Sequence, residues 1–222
     1  MLVDVQSGQT SWRDLYRLCL GFVNPRPIAL VSSLSPAGAA NLAPFSWYNL
    51  VCANPPVVMF STGLHRDGRP KDTLRNVTAS REFVVATVAE GIAEQCVRCA
   101  SELAYEQSEF DFSGLTPAPA KLVKAPLVRE SPVNIECQVR DIVPIGSGPG
   151  SASVIFGNIV AIHVADWLLN ADGLIDPHKL RTVGRLGGAE YVTVDDPYSL
   201  LIPEAPREPE AGMRTPKPAT KA

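Results

Sequence analysis

Two long apolar runs constrain this chain more than any other feature: VNIECQVRDIVPI (133–145) and ASVIFGNIVAIHV (152–164), separated only by GSGPGS. Both are rich in Val and Ile, which suit a pleated, half-buried surface. A glycine-rich tip between them lets the chain reverse at once. The spacing therefore predicts a long β-hairpin and, with it, an antiparallel sheet. GSGPGS is a hairpin tip rather than a nucleotide loop, because Pro149 sits inside it and a strand follows where a dinucleotide fingerprint needs a helix. No Walker-type loop is present either. A pyridine nucleotide, if one is used, does not bind this chain through a Rossmann unit.

The remaining pattern agrees with a sheet. TSWRDLYRLCL (10–20) has helical spacing, with Trp12, Leu15, Tyr16 and Cys19 near one face, and Gly21 and NPRP mark its stop. PIALVSSL (27–34) reads as a strand, SPAG as a turn, and AANLAPFSWYNL (39–50) as an irregular returning strand in which Pro44 marks a bend or an edge. PPVVMFST (55–62) and EFVVATVA (82–89) are further strands, with a short helix KDTLRNVTAS (71–80) between them. Residues 91–105 are a second helix candidate, and 108–126 read as a Pro-rich loop. VGRLGGAEYVTV (183–194) approaches a last strand. Strands outnumber helices and join through short turns, so the fold class is mainly β: an antiparallel barrel with peripheral α-helices. Residues 1–202 form one domain; from Pro203 on, PEAPREPEAGMRTPKPATKA has too few apolar residues to bury and reads as a disordered tail.

The composition removes several function classes. At 222 residues and 45% hydrophobic content the chain supports an ample core, and no apolar run is long enough for a membrane-spanning helix. The N-terminus lacks a basic stretch followed by an apolar one, so no signal peptide is read and a cytoplasmic location is expected. A formal net charge of −3 argues against general nucleic-acid binding. Five scattered cysteines fit reduced thiols better than a disulfide framework. Cys96 and Cys99 form a lone CxxC with neither a second pair nor a nearby histidine to complete a zinc site, and they fall mid-helix, as packed thiols do. His65, His163 and His178 lack metal-ligand spacing, and His163 reads as a packed strand residue.

One local feature runs against the acidic whole. STGLHRDGRPKDTLRN (61–76) carries Arg66, Arg69, Lys71 and Arg75 and then turns helical. Asp72 or Thr73 can cap that helix, and its free N–H groups, with Lys71 and the Thr73 hydroxyl, make a phosphate site conceivable. Taken alone, the stretch reads more readily as a capped surface helix with solvated basic residues than as a ligand site. Ser32, Ser33, Ser46 and Ser61 cluster at strand ends in the same region, where hydroxyls often satisfy local backbone.

Together, NPRPIALVSSLSPAGAANLAPFSWYNLVCANPPVVMFS (24–61), KDTLRN, SEFDFSGL, ESPVNIECQV and GRLGGAEY stand in an order and spacing that resemble the flavin reductase-like, FMN-binding split-barrel family. That family includes flavoredoxin-type proteins and the reductase components of two-component monooxygenases. The resemblance implies a split β-barrel of Greek-key type that pairs as a homodimer with FMN near the interface. It places Arg26, Ser32 and Ser33 along the flavin. Asn41, Leu42 and Ala43 meet the isoalloxazine largely through backbone groups, with Ser46 and Trp47 alongside. Ser61, Lys71, Asp72 and Thr73 serve the phosphate, and Arg185, from either subunit, completes the site. No protein acid, base or metal is then needed, because the flavin carries the redox chemistry. Three features depart from the family: Trp47 stands where Tyr or Phe is common, HRDGRP is more basic than the family requires, and the tail lies outside the match.

The function implied is an FMN-binding oxidoreductase, an NAD(P)H:flavin reductase with NAD(P)H as co-substrate and a flavin-dependent monooxygenase as a candidate recipient of reduced flavin. The alternative is a flavoredoxin-like electron carrier with little NAD(P)H activity. A flavin-free surface module is the third reading, against which intact NLAPFS and KDT segments count.

Overall fold

A computed structural model describes residues 1–65 and 67–204. Helix α1 (Trp12–Phe22) starts where the Ser11 side chain accepts a hydrogen bond from the Asp14 amide, satisfying a donor that the helix itself leaves open. It continues through Gly21, where the sequence suggested a stop, and is released at Val23, ahead of Asn24-Pro25. The chain then forms β1 (Arg26–Pro27), β2 (Ala29–Leu34), β3 (Ala40–Phe45), β4 (Tyr48–Ala53), β5 (Pro56–Gly63), α2 (Asp72–Ser80) and β6 (Glu82–Thr87). A 3-10 turn at Glu90–Ile92 leads into α3 (Ala93–Arg98). This helix is shorter than the 91–105 candidate, because the Ala100 and Ser101 amides fold onto the Val97 and Arg98 carbonyls and tighten its end. The expected loop at 108–126 contains helix α4 (Glu109–Ser113), which buries Phe110 and stops at Gly114 with φ 80°. Strands β7 (Pro117–Ala118), β8 (Leu127–Val128), β9 (Val133–Ile145) and β10 (Ala152–Val164) follow, then a 3-10 turn at Asp166–Leu168, α5 (Pro177–Leu180), β11 (Val183–Arg185) and β12 (Tyr191–Thr193). The tail expected at 203–222 falls, from residue 205 on, outside the described residues, as does Arg66 of the basic turn.

Strands β9 and β10 pair antiparallel from Val133↔Val164 to Ala152↔Ile145, the hairpin that the sequence implies. They stand at the middle of a seven-stranded sheet of order β3-β2-β6-β9-β10-β5-β4, antiparallel at every pairing. Its two edge strands, β3 and β4, are consecutive in the chain and separated only by Ser46 and Trp47. Extended residues span at most about 3.6 Å each, so the two edges must meet. The sheet therefore curls into a barrel that stays split between β3 and β4. Pro44, which has no N–H to give a neighbour, sits on that edge as the sequence expects. A three-stranded sheet of order β1-β11-β12 and a two-stranded one of β7 and β8 flank the barrel.

Strand alternation gives β2 two buried faces. Ala29 and Val31 join Phe60, Phe83 and Val85 in one cluster, into which Leu74 and Val77 of α2 plug. Leu30 packs on the other face with Leu42, Ala86, Cys96, Cys99 and Phe110, beneath α3 and α4. At Gly157 on β10 a Cβ would lie 2.4 Å from the Phe83 ring, so the close crossing there needs glycine. No helix among the described residues is long and apolar enough to cross a membrane.

Candidate functional site at the barrel split

The free edge of β3 turns one row of backbone groups away from β2. One of them, the Leu42 N–H, donates to Glu109 Oε2 at 2.9 Å. Burial pushes the Glu109 carboxyl above its ordinary range, against the lowering effect of that amide. Across from the edge, α2 begins at Lys71, which occupies the N-cap position assigned from sequence to Asp72 or Thr73. Asp72 instead pairs with Arg75 at 3.4 Å, one turn along. Among the described residues no side chain caps the first amides of α2, and no carboxylate pairs with Lys71. Thr73 is 1% exposed, and its Oγ1 accepts from Asn41 Nδ2 at 3.0 Å, which binds helix to strand.

Three adjoining cavities line this split. One of about 110 Å³ is walled by Asn41, Ala43, Lys71, Asp72, Thr73 and Glu109. A second, of about 530 Å³, lies beneath α1 and is lined by Trp12, Leu15, Tyr16 and Cys19, facing Ser46, Trp47, Ser61 and Lys71. Pro44, Phe45 and Lys71 belong to both. The third, about 400 Å³, is reached past Tyr16 and Ser46 and is bordered by Arg26 and Arg185. The apolar face read for α1 thus forms a cavity wall; none of its residues is buried. The Tyr16 and Trp47 rings meet at 6.0 Å, tilted by 51°.

Most of the expected site residues gather here, and three do not line these cavities: Ser32, Ser33 and the fully buried Leu42, whose amide is taken by Glu109. Adjacent strand residues point to opposite faces. Ser33 therefore turns toward α2, where its Oγ accepts from Asn76 Nδ2 at 3.1 Å, while the fully buried Ser32 donates to the Pro126 carbonyl on the far side. Arg26 reaches the third cavity but is 5% exposed and tied to protein acceptors. Its guanidinium donates to the carbonyls of Leu20, Val23 and Leu186 at 3.2, 2.7 and 2.8 Å, and lies 3.4 Å from Ser46 Oγ. Burial lowers its pKa, with the nearby Arg185 adding to the effect. Arg185 donates to the Gly188 carbonyl and lies over the Tyr191 ring at 4.3 Å, within the same chain as Arg26. The Ser61 N–H donates to the Trp47 carbonyl at 2.8 Å, which extends the β4–β5 ladder beside the split.

Glu109 was not legible as a site residue, because a single acid in a Pro-rich stretch has no periodic signature. The α1 residues carried a signal, their helical spacing, which does not separate a core face from a cavity wall.

The flavin reductase like domain model matches residues 22–182. An uncharacterized protein of Halalkalibacterium halodurans is 43% identical over 195 residues, covering 87% of this chain and 93% of its own. Among solved structures, nitrilotriacetate monooxygenase component B from Bacillus cereus superposes with a TM-score of 0.84 at 30% identity, covering 90% of this chain and 99% of that one. The 2-nitrobenzoate 2-nitroreductase NbaA of Pseudomonas fluorescens gives 0.82 at 30% identity, covering 96% and 100%. With its split barrel and the family match over most of its length, the chain belongs to the flavin reductase like domain family.

Proposed function

We propose that the split holds FMN and that the protein is an NAD(P)H:flavin oxidoreductase. The observation that carries this is the juxtaposition of a helix end and a lysine, uncapped and unpaired among the described residues, with a wide aromatic-walled cavity. That donor set fits FMN. The α2 amides and Lys71 offer positive charge to a phosphate, and the Thr73 hydroxyl, while accepting from Asn41, keeps its proton to donate. The edge of β3 at Asn41 and Ala43, with Ser46 and Trp47, offers a polar rim and an apolar wall to a flat ring, beside the Leu42 amide that Glu109 holds. Ser61 and the Asp72 backbone amide complete the phosphate end, and Arg26 and Arg185 border the adjoining space. Ser33 acts from behind by holding Asn76 of α2.

FMN, when bound, supplies the hydride-accepting chemistry. The chain's own groups bind and orient: Lys71 and α2 fix the anionic end, Glu109 holds the Leu42 amide, and Tyr16 and Trp47 offer ring faces along the cavity beneath α1. Pairing as a homodimer is supported by Leu18 and Phe22 of α1 and Leu50 and Val51 of β4, apolar side chains left exposed on a single chain. Similarity to a monooxygenase component B supports delivery of reduced flavin to a partner oxygenase. Purified protein mixed with FMN and then NADH or NADPH without oxygen should lose the visible absorbance of oxidised flavin catalytically. Absorbance unchanged with both nucleotides overturns the reductase reading.

A further inference from the structure

The chain is last tied to the body where the Val194 N–H donates to the Thr182 carbonyl at 2.8 Å, among the described residues. Beyond it, Tyr198, Leu200, Leu201 and Ile202 are 83%, 82%, 93% and 95% exposed. Four large apolar side chains held in water within five positions gain strongly from any apolar seat. Such a seat exists on the same face. A groove of about 700 Å³ runs between the end of α1 and β4, lined by Phe22, Val23, Pro25, Trp47, Tyr48 and Met59. Phe22 and Val23 remain 66% and 52% exposed, so none of the described residues fills the groove.

The root of the segment lies beside that groove. Val194 lines a smaller recess with Pro25, Pro27 and Tyr48, and those three residues also line the groove. With the two-fold axis of the pair running beside this recess, the arm root of each copy faces the groove of the other. From Val194 to Ile202 an extended chain reaches up to about 29 Å, enough to cross such a contact.

We infer that residues 195–202 form an arm that clasps a second copy of the chain, seating Tyr198, Leu200, Leu201 and Ile202 in the groove between α1 and β4 of that copy. The inference rests on the proposed pairing of two copies and is independent of the flavin. The exchange is reciprocal, so both grooves fill at once. Each groove borders Ser46 and Trp47, so the arm also walls the flavin cleft of the other copy.

Sedimentation equilibrium of the full chain tests it. Leu200→Ser, Leu201→Ser and Ile202→Ser together alter only exposed side chains and should raise the dimer dissociation constant about 100-fold or more. A wild-type dimer whose dissociation constant the triple variant leaves unchanged overturns the arm while sparing the pairing; a wild-type monomer overturns both. Placement in the groove is tested with Leu200→Cys, because Cys19 is exposed and lines the groove. Mild oxidation should give a disulfide-linked dimer that disappears in the Cys19→Ser background. A linked dimer that persists there, an intrachain disulfide, or no disulfide at all overturns the groove assignment.

Discussion

Five cysteines divide cleanly by environment. Cys19 and Cys52 are exposed; Cys96, Cys99 and Cys137 are buried. Burial pushes the Cys96 thiol up to about 12 and the Cys99 thiol to about 11, and raises Cys137 as well. A thiol-specific reagent near neutral pH should therefore leave Cys96, Cys99 and Cys137 unmodified in the native protein and reach all five thiols once it is unfolded. Rapid modification of Cys96 or Cys99 contradicts the packing described. The same shifts set an alkaline limit. Unfolded thiols ionise near 9.0, whereas the native ones hold their protons, so their contribution is complete below that pH. It falls as pH rises toward 11 and 12, where the midpoint of urea unfolding should drop. The CxxC was legible as packed thiols because it lacked partners for a metal. His163, read as a packed strand residue, does contact the sheet: its Nε2 lies 2.5 Å from Oε1 of the buried Glu136. Glu136 was not legible, because nothing in a strand pattern announces that one acid will accept the Lys121, Leu122 and Val123 amides.

Where elements meet, side chains act as joints. Arg26 ties the last carbonyls of α1 to the turn after β11, and its Nε faces Ser46 between β3 and β4. Replacing it removes a buried side chain and the donor to three partly buried or exposed carbonyls, so Arg26→Ala should cost about 1–3 kcal/mol in urea unfolding. A loss below about 0.5 kcal/mol, the range of ordinary surface substitutions, contradicts the joint. Sequence reading sees local periodicity, and it found β9 and β10 with their ends intact. It missed α4, whose five residues are too short for a helical period and are fixed by Phe110 in the core. It also misplaced the cap of α2, because Asp72 has a competing partner in Arg75.

At the scale of the whole molecule, strand order produces the site. Because β3 and β4 adjoin in the chain yet lie at opposite ends of the sheet, closure leaves an unpaired edge, and α2 directs its uncapped end there. No single stretch of sequence contains that arrangement. The basic turn at 61–76 remained two-sided until β3 stood next to it, and Ser32 and Ser33 looked alike until strand alternation separated them. The most direct test is the fluorescence titration of apoprotein with FMN, wild type against Lys71→Ala. Wild-type protein should bind FMN at one site per chain, and loss of the Lys71 ammonium should weaken that binding about 10- to 100-fold. Binding that is equally tight in both proteins, or absent from the wild type, would contradict the account.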